Sequence, residues 1–295
     1  MDGVLNINKP TGMTSHDVVQ LARRLLGEKR IGHTGTLDPL ATGVLVLCIG
    51  KATRIAQYLE AGDKEYRAIM RLGVTTDTLD AEGRVLETRT YAAPDRATLL
   101  KVMQQFTGSI MQSPPAFSAV KIAGVPSYKL ARQGRAKPNK PRPATIYSID
   151  LTAFENPLVN LTVRCAKGVY IRSLCADIGD ALYAGAHLTG LQRTKSGIFS
   201  IDTAVTLETF AGMAKSGTVA AAVTSIDDAL AEFPVIELST EESGKVIHGN
   251  KIEYPAAHRG QNTRRGLVRI HDSLGRLLGL ARHDGITISP ELVFS

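Results

Sequence analysis

The sequence has few of the features that mark disulfide frameworks, metal centres or membrane proteins. It contains three cysteines, Cys48, Cys165 and Cys175, an odd number without a CxxC pair, which argues against disulfides or a cysteine-based zinc site. No group of histidines has metal-ligand spacing, and the longest apolar run, residues 44–49, is far shorter than the ~18 residues of a membrane span. The first residues carry neither a basic region nor an apolar secretory core. We therefore expect a cytoplasmic protein with no metal site and no membrane contact.

The positive charge of the chain is concentrated in one segment. There are 35 lysine and arginine residues and 28 acidic residues, which gives a net charge of +7. A run of charge is usually only a solvated surface, but an excess confined to one proline- and glycine-rich segment is typical of a contact with a polyanion. This distribution therefore favours a nucleic-acid partner. Seven basic residues and no acidic residue lie between positions 121 and 142: Lys121, Lys129, Arg132, Arg135, Lys137, Lys140 and Arg142.

Hydrophobic periodicity predicts helices and strands in irregular succession. Apolar residues at helical spacing predict a helix that begins at Thr14 or Ser15 and ends at Gly27. A second predicted helix is capped by Asp95 and ends at Gly108, and a third helical stripe follows later in the chain. Because there is no regular βαβ repeat, this order favours an α+β fold over a doubly wound sheet. Strands are predicted at residues 4–7, 44–49, 66–72 and 158–165, a hairpin turn at residues 80–83, and the third helix at residues 171–182.

The length of 295 residues allows two domains, and the composition divides the chain accordingly. We expect a larger domain at residues 1–231 and a small β-rich domain at residues 232–295, where short alternating segments are separated by glycine-rich turns. Within the larger part, residues 113–143 combine six prolines with the basic cluster. They predict a loop-rich insertion with a short helix at residues 127–132.

The segment with the most candidate chemistry is GHTGTLDPLATGVL at residues 32–45, where three glycines and one carboxylate lead into a buried strand. The simplest interpretation is a tight loop in which Asp38 begins a turn before Pro39. Loops at strand ends also carry catalytic groups on a rigid support, and glycines let another backbone come close. The residues alone leave both interpretations open. A phosphate-binding loop at Gly50 and Lys51 is excluded, because the glycine spacing is wrong and Ala52 follows the lysine.

This segment resembles the signature loop of the TruB family of tRNA pseudouridine synthases over nearly its whole length. The resemblance implies that Asp38 is the catalytic carboxylate. It also implies a pseudouridine synthase fold, with a central mixed, largely antiparallel sheet flanked by helices and a small β-rich, PUA-like RNA-binding domain at the C-terminus. On this basis residues 1–231 are expected to form the catalytic domain, and residues 113–143 an RNA-binding thumb.

Two further segments resemble motifs that complete the catalytic set of this family. In KEYRA at residues 64–68, Tyr66 is implied to pack on the target base. In GVYIRSL at residues 168–174, Arg172 is implied to pair with Asp38, which would keep that carboxylate charged and oriented.

The resemblance extends to two segments in which this chain departs slightly from the family. GVLNINKPTGMTS at residues 3–15 resembles the N-terminal motif, with Asn8 in place of a frequent aspartate. LTGLQRT at residues 188–194 resembles a pocket segment, with Gln192 in place of a frequent arginine. His33 is implied to fill the space that the flipped base leaves, and Lys9 is expected to support the loop more than to touch the substrate. The residues expected at the substrate are Lys9, His33, Arg132, Arg135, Arg142, Tyr170 and Leu191.

The implied reaction is isomerisation of uridine to pseudouridine at position 55 in the T loop of tRNA. It is redox-neutral, so we expect no cofactor, and the expected partner is the T arm of tRNA, with no protein partner and a monomeric enzyme. Three routes stay open for Asp38: attack on C1′, attack on uracil C6, or removal of the C2′ proton. Two other functions are alternatives to isomerisation. A tRNA-folding protein that only binds would not need Asp38, and a glycosidase would need a second carboxylate in a matching motif.

Overall fold

The computed structural model describes residues 1–118, 120–122, 124–135, 139–254 and 265–294, with the backbone alone for residues 121, 122, 126, 128 and 132. A large mixed sheet of 11 strands forms its centre, in the order β14-β1-β3-β12-β4-β11-β10-β7, with β2, β13 and β15 paired alongside. These strands are β1 (Gly3–Lys9), β2 (Ile31–His33), β3 (Thr42–Ile49), β4 (Lys64–Leu72), β7 (Gly108–Gln112), β10 (Arg142–Glu155), β11 (Leu158–Cys165), β12 (Ala186–Ser196), β13 (Phe199–Ser200), β14 (Val205–Thr206) and β15 (Val223–Thr224).

The pairings confirm the predicted mixed, largely antiparallel sheet in an α+β fold. Among the described strands, β1 pairs with β14 and β3 pairs with β12 in parallel, while the other pairings in this sheet are antiparallel. A second sheet has five strands, in the order β16-β18-β19-β20-β17. Its members are β16 (Val235–Glu237), β17 (Ile252–Glu253), β18 (Gly266–His271), β19 (Leu277–His283) and β20 (Thr287–Val293). It forms the predicted β-rich C-terminal domain, whose boundary at residue 232 stays a prediction.

Two small hairpins and eight helices complete the described chain. The hairpins pair β5 (Val74–Thr76) with β6 (Val85–Thr88) and β8 (Lys121–Ile122) with β9 (Val125–Pro126). None of these helices is long and apolar enough to span a membrane. The α-helices are α1 (Ser15–Leu26), α2 (Ala56–Glu60), α3 (Arg96–Gln104), α4 (Ser127–Arg132), α5 (Ile171–Ala181), α6 (Leu207–Ser216), α7 (Ile226–Ala229) and α8 (Thr240–Ile247), and 3₁₀ turns lie at Gly50–Ile55, Ile201–Thr203 and Val219–Ala222.

The helix ends follow the local sequence closely, with one exception. Thr14 caps α1 and forms a capping box with Asp17, and Gly27 ends the helix in the left-handed conformation. Asp95 caps α3 as predicted, but α3 ends at Gln104. The prediction that this helix continues to Gly108 was wrong, because Gly108 already begins strand β7, whose backbone hydrogen bonds to β10 replace helical ones.

The faces of β4 show why the active-site half of the sheet is rigid. Alternate residues Ala68, Met70 and Leu72 are buried, and they pack in one apolar cluster with residues of α3 and α5. The side chains of Arg67 and Arg71 point to the opposite, solvent-exposed face. Strand β3 is covered on both sides, since its alternate residues belong to two separate clusters, one of which includes Leu280 of the C-terminal sheet.

The described residues between positions 113 and 143 include the β8–β9 hairpin and helix α4, and the predicted insertion stays a prediction that needs one correction at its end. Helix α4 has the predicted bounds, but Arg142 and Pro143 are the first two residues of β10 and so belong to the central sheet. The base of the insertion is held by the buried amide of Asn139, which donates to the carbonyl oxygens of Pro114 (3.1 Å) and Pro115 (2.9 Å). Lys137 and the side chain of Arg132 lie outside the described part of the chain.

Candidate active site

The loop that carries Asp38 joins β2 to β3 at residues 34–41 and is clamped to the start of α1. The amide N–H of Leu37 donates to the hydroxyl of Ser15 at 2.8 Å, and the same hydroxyl donates to the Leu37 carbonyl at 3.1 Å. Ser15 is the first residue of α1 and is buried. The residue next to Asp38 is therefore fixed to a rigid helix end. We call residues 34–41 the catalytic loop.

Lys9, at the end of β1, supports the catalytic loop through contacts of its ammonium with backbone oxygens. Its side chain is fully buried, and its ammonium donates to the carbonyl oxygens of Pro10 (2.8 Å), Met13 (2.7 Å) and Pro39 (3.4 Å). Burial is the main cause that lowers the pKa of Lys9 to about 8, while the charge of Asp38 opposes that shift. This geometry favours the supporting role over direct contact with a substrate.

Asp38 and Arg172 form a two-point ion pair across the site. The Arg172 Nε lies 3.0 Å from Asp38 Oδ2, and Nη2 donates to Asp38 Oδ1 at 3.1 Å. The side chain of Asp38 is 36% exposed, whereas that of Arg172 is 6% exposed. Burial and then the charge of Asp80 raise the pKa of Asp38, while Arg172 and Lys9 act against this rise. One edge of the carboxylate is thus fixed by the arginine, and the group stays open to solvent.

Asp80 is a site residue that sequence reasoning treated only as part of a hairpin turn. Its side chain is 4% exposed and lies 3.3 Å from Arg172 Nη1, on the far side of the guanidinium from Asp38. Arg172 also donates to the carbonyl oxygens of Thr78 (3.1 Å) and Phe117 (3.0 Å). Arg172 is therefore held between two carboxylates and two backbone oxygens. The only sequence signal for Asp80 was its turn, which carries no hint of this contact.

The start of helix α5 positions both Tyr170 and Arg172. Gln112 brackets the backbone of Tyr170, because its Oε1 accepts from the Tyr170 N–H at 2.8 Å and its Nε2 donates to the Tyr170 carbonyl at 3.0 Å. Tyr170 is half-buried, burial raises the pKa of its phenol, and the charge of Arg142 lowers it. Because Gln112 is also paired in register with Arg142, the structure brings Tyr170, Arg172 and Arg142 to one side of the site, and their roles stay predictions.

Tyr66 and Leu191 lie on neighbouring strands on the same face of the sheet. Both are partly buried and pack against two apolar clusters, and Leu191 is paired in register with Ala68 two residues from Tyr66. Burial, the largest cause, raises the pKa of the Tyr66 phenol. A cavity of about 560 Å³ opens beside Leu191 and the catalytic loop. Its polar lining includes Thr11, Thr42, Arg67, Asn160, Thr189 and Gln192.

His33 ends strand β2 at the entrance of the catalytic loop. Its Nδ1 accepts from the amide N–H of Gly35 at 3.3 Å. Burial is the main cause that lowers the pKa of His33, and the charge of Arg193 adds to it. The ring is therefore neutral near pH 7, a state suited to stacking on bases.

The thumb meets the active site at its base and carries exposed cations. The hydroxyl of Ser173 donates to the Ser113 carbonyl at 2.8 Å, next to the contact between Arg172 and Phe117. Arg135 and Arg142 are exposed, as are Lys129 and Lys140. The site role predicted for Arg132 lies outside the side chains that the structure describes.

The described residues include no group of three or more histidine, cysteine or acidic side chains placed to hold a metal ion. The three cysteines are free and buried, and burial raises the pKa of each thiol to about 12. They are therefore unreactive core residues rather than nucleophiles or ligands.

Comparison with family models covers nearly the whole chain. The model described as "TruB family pseudouridylate synthase (N terminal domain)" matches residues 23–171, and the "tRNA pseudouridylate synthase B C-terminal domain" matches residues 172–231. A third model, "Pseudouridine synthase II TruB, C-terminal", matches residues 234–294.

Individual proteins agree with the family models. The tRNA pseudouridine synthase B of Stutzerimonas stutzeri is 42% identical over 283 residues, which cover 95% of this chain and 91% of that protein. The protein of the same name from Geotalea uraniireducens is 45% identical over 249 residues, covering 84% and 80% of the two chains. Among solved structures, a chain in a Cbf5–Nop10–Gar1 complex is 30% identical with a TM-score of 0.77, covering 99% of this chain and 85% of that one.

Proposed function

The chain belongs to the TruB family of tRNA pseudouridine synthases, which are isomerases, and we propose that it converts the uridine at position 55 in the T loop of tRNA into pseudouridine. The observation that carries this proposal is the ion pair that Asp38, on a tightly clamped loop, forms with Arg172. Such a pair holds a carboxylate in one orientation while leaving part of it open to a substrate.

The chemistry needs a carboxylate and little else. The bond between N1 and C1′ breaks, the uracil turns, and a bond between C5 and C1′ forms, so that a proton is lost from C5 and one is gained at N1. As the base leaves, C1′ takes on oxocarbenium character, which a nearby carboxylate stabilises or captures covalently. Asp38 is ionised in each of the three routes considered for it. Arg172 favours that ionised form, against the burial and the charge of Asp80 that oppose it.

The target base has to leave the stacked loop before it can react. Flipping a base costs a few kcal/mol, which the enzyme offsets with contacts in its own pocket. Stacking on an aromatic side chain supplies on the order of 1–3 kcal/mol, and Tyr66 with Leu191 on the adjacent strand suits this role. A neutral His33 at the entrance of the catalytic loop is suited to stack in the space that the base leaves.

We assign RNA binding chiefly to the thumb. Its exposed residues Lys129, Arg135 and Lys140, together with Arg142 at the start of β10, present positive charge along a segment that contacts α5 through Ser113 and Ser173. Phosphates of a folded tRNA are the natural counterpart of such a surface. We further propose that the chain acts in the cytoplasm as a monomer, without a protein partner or cofactor.

Tests on an unmodified tRNA transcript address this function directly. The purified chain alone should form one pseudouridine, at position 55, when the products are mapped by mass spectrometry, and a transcript with cytidine at that position should stay unmodified. Asp38→Asn should remove the product, whereas the control Asp202→Asn, an exposed carboxylate in a 3₁₀ turn, should not. Product at another position would contradict the assigned site, and binding without product by the wild type would favour the tRNA-folding alternative.

A further inference from the structure

Arg193 is a buried cation at the centre of the site to which sequence reasoning assigned no role. It lies on β12, is 2% exposed, and takes part in none of the ion pairs between described residues. Removing a guanidinium from water without a carboxylate partner is costly unless its N–H groups find other acceptors. The contacts that Arg193 makes therefore indicate why this position is charged.

Arg193 joins the two ends of the catalytic loop. Its Nε donates to the Val44 carbonyl at 2.7 Å, and its Nη2 donates to the Gly35 carbonyl at 3.1 Å. Gly35 lies at the start of the loop, and Val44 lies in β3 just after its end. One rigid, planar group thus fixes the separation of the backbone segments on either side of Asp38.

The backbone geometry next to Arg193 requires glycine. Gly43 is paired in register with Arg193 and has a φ of +98°. A Cβ atom at Gly43 would lie 2.2 Å from the Arg193 carbonyl oxygen, a distance that does not occur between such atoms. Strands β3 and β12 therefore approach so closely that β3, the strand that follows the catalytic loop, fixes the backbone position of Arg193.

Arg193 also faces the residue expected to contact the base. It is paired in register with Tyr66 on the adjacent strand β4. The charge of Arg193 lowers the pKa of the Tyr66 phenol, against the larger upward effect of burial. Because paired residues on neighbouring strands point to the same face, Arg193 and Tyr66 lie opposite each other on one face of the sheet.

We propose that Arg193 is a positioning residue that locks the two ends of the catalytic loop together and holds them opposite Tyr66, its partner on β4. The inference rests on the proposed roles of Asp38 and Tyr66 in uridine isomerisation. In this role Arg193 touches no reacting atom. It fixes the carboxylate of the loop relative to the phenol on β4, so that both meet the same base.

The test combines Arg193→Gln, Arg193→Lys, Tyr66→Phe and the double variant Arg193→Gln/Tyr66→Phe with single-turnover rates on a T-arm stem-loop. Lys195→Gln is the matched control, because Lys195 is an exposed cation two residues along the same strand. Misplacement of catalytic groups by about 1 Å costs on the order of 100-fold. We expect Arg193→Gln to slow the rate at saturating RNA about 10- to 100-fold, with the dissociation constant of the RNA changed less than about threefold. Arg193→Lys should recover part of this rate.

The decisive result is the coupling between the two residues. If Arg193 acts through Tyr66, adding Arg193→Gln to the Tyr66→Phe variant should lower the single-turnover rate by a much smaller factor than adding it to the wild type does. Equal factors in both backgrounds, or an unchanged rate in Arg193→Gln, would overturn the proposal. If Arg193→Gln does not fold, the same cycle is run with Arg193→Lys, whose single ammonium lacks the planar fork that bridges Gly35 and Val44.

A second measurement separates this inference from the proposed function. Amide hydrogen exchange in residues 35–44 should be faster in Arg193→Gln than in the wild type or in Lys195→Gln, whether or not the wild type forms pseudouridine. Unchanged exchange in this segment would show that Arg193 does not hold the catalytic loop. Absence of product from the wild type would instead refute the proposed function.

Discussion

Replacing Asp80 by asparagine tests whether the position of Arg172 depends on a second carboxylate behind it. Asp80 accepts from Arg172 on one oxygen and from the Glu82 amide N–H and the Thr78 hydroxyl on the other. An asparagine has only one acceptor oxygen, so it can accept on one side only. If that oxygen accepts from the Glu82 N–H, the asparagine NH₂ group faces the guanidinium of Arg172, and two donors meet. If the side chain is flipped, the oxygen accepts from Arg172, and the NH₂ group faces the Glu82 N–H instead.

The expected loss of stability depends on the contacts that Arg172 retains in Asp80→Asn. Removing one partner of a buried ion pair costs about 3–5 kcal/mol when the other charge is left alone. Arg172 still has Asp38 and the carbonyl oxygens of Thr78 and Phe117, so we expect about 1–3 kcal/mol of lost stability. At about 2–4 °C per kcal/mol for a chain of this size, the melting temperature should fall by roughly 2–12 °C. The partly exposed turn residue Asp77, whose carboxylate accepts from the Arg84 N–H, provides the control Asp77→Asn.

Asp80→Asn should change both the plateau rate and the pH at which the rate falls on the acid side. A tilted Arg172 should lower the single-turnover rate about 10- to 100-fold at saturating RNA, with little change in RNA affinity. The charge of Asp80 raises the pKa of Asp38, so its removal should lower that pKa. Because the active form is the ionised one, the acid limb of the rate profile should move to lower pH even though its plateau is reduced.

Single-turnover rates from about pH 5 to 8, together with thermal melts, check both parts. A plateau within about tenfold of wild type, a barrier change under about 1.4 kcal/mol, together with an unchanged melting temperature would refute the role of Asp80. An acid limb that moved to higher pH would show that Arg172 had lost its contact with Asp38 as well.

Three further predictions follow from the site and its surroundings. Asp38→Asn should abolish pseudouridine formation yet bind the stem-loop with nearly wild-type affinity, and single-turnover residual activity within about tenfold of wild type would contradict its assignment. Replacing the exposed residues Arg135 and Lys140 of the thumb and Arg142 at the start of β10 with glutamine should lower the slope of log affinity against log salt by about two to three units, at roughly 0.7–0.9 per lost phosphate contact. An unchanged slope would mean that these cations are only solvated. Gly43→Ala should lower both the melting temperature and the single-turnover rate, because the added methyl group would collide with the Arg193 carbonyl. The control is Gly27→Ala, at a positive φ with no atom within 4 Å, which should lower stability without a comparable loss of rate per folded molecule.

The local elements were predictable where neighbouring residues decide them. Thr14 with Asp17 sets the start of α1, and Gly27 sets its end, since the cap contacts involve residues at most three positions apart. Helix α4 was predicted to the residue, although it lies in a proline-rich segment. The end of α3 was not, because pairing of β7 with the distant strand β10 decides it.

The proposed catalytic carboxylate, Asp38, could be singled out in the sequence because its loop is a continuous motif. The contacts that hold its partner were not, since Arg172 reaches Asp38 across 134 positions and Asp80 across 92 positions. Asp80 had the local signature of a turn residue, and that interpretation is correct for its backbone. Only the fold shows that the same side chain is buried against a guanidinium.

The sequence by itself therefore determined the family, the types of the predicted elements and the candidate groups for the chemistry, because periodicity, caps and motifs are properties of short segments. Only the tertiary structure decided which charges meet. Strands β3, β4 and β12 bring Gly35, Tyr66 and Arg193 together, and α5 carries Arg172 between Asp38 and Asp80. Coulomb and hydrogen-bond energies depend on distances of about 3 Å between residues far apart in the chain, and no local pattern encodes those distances.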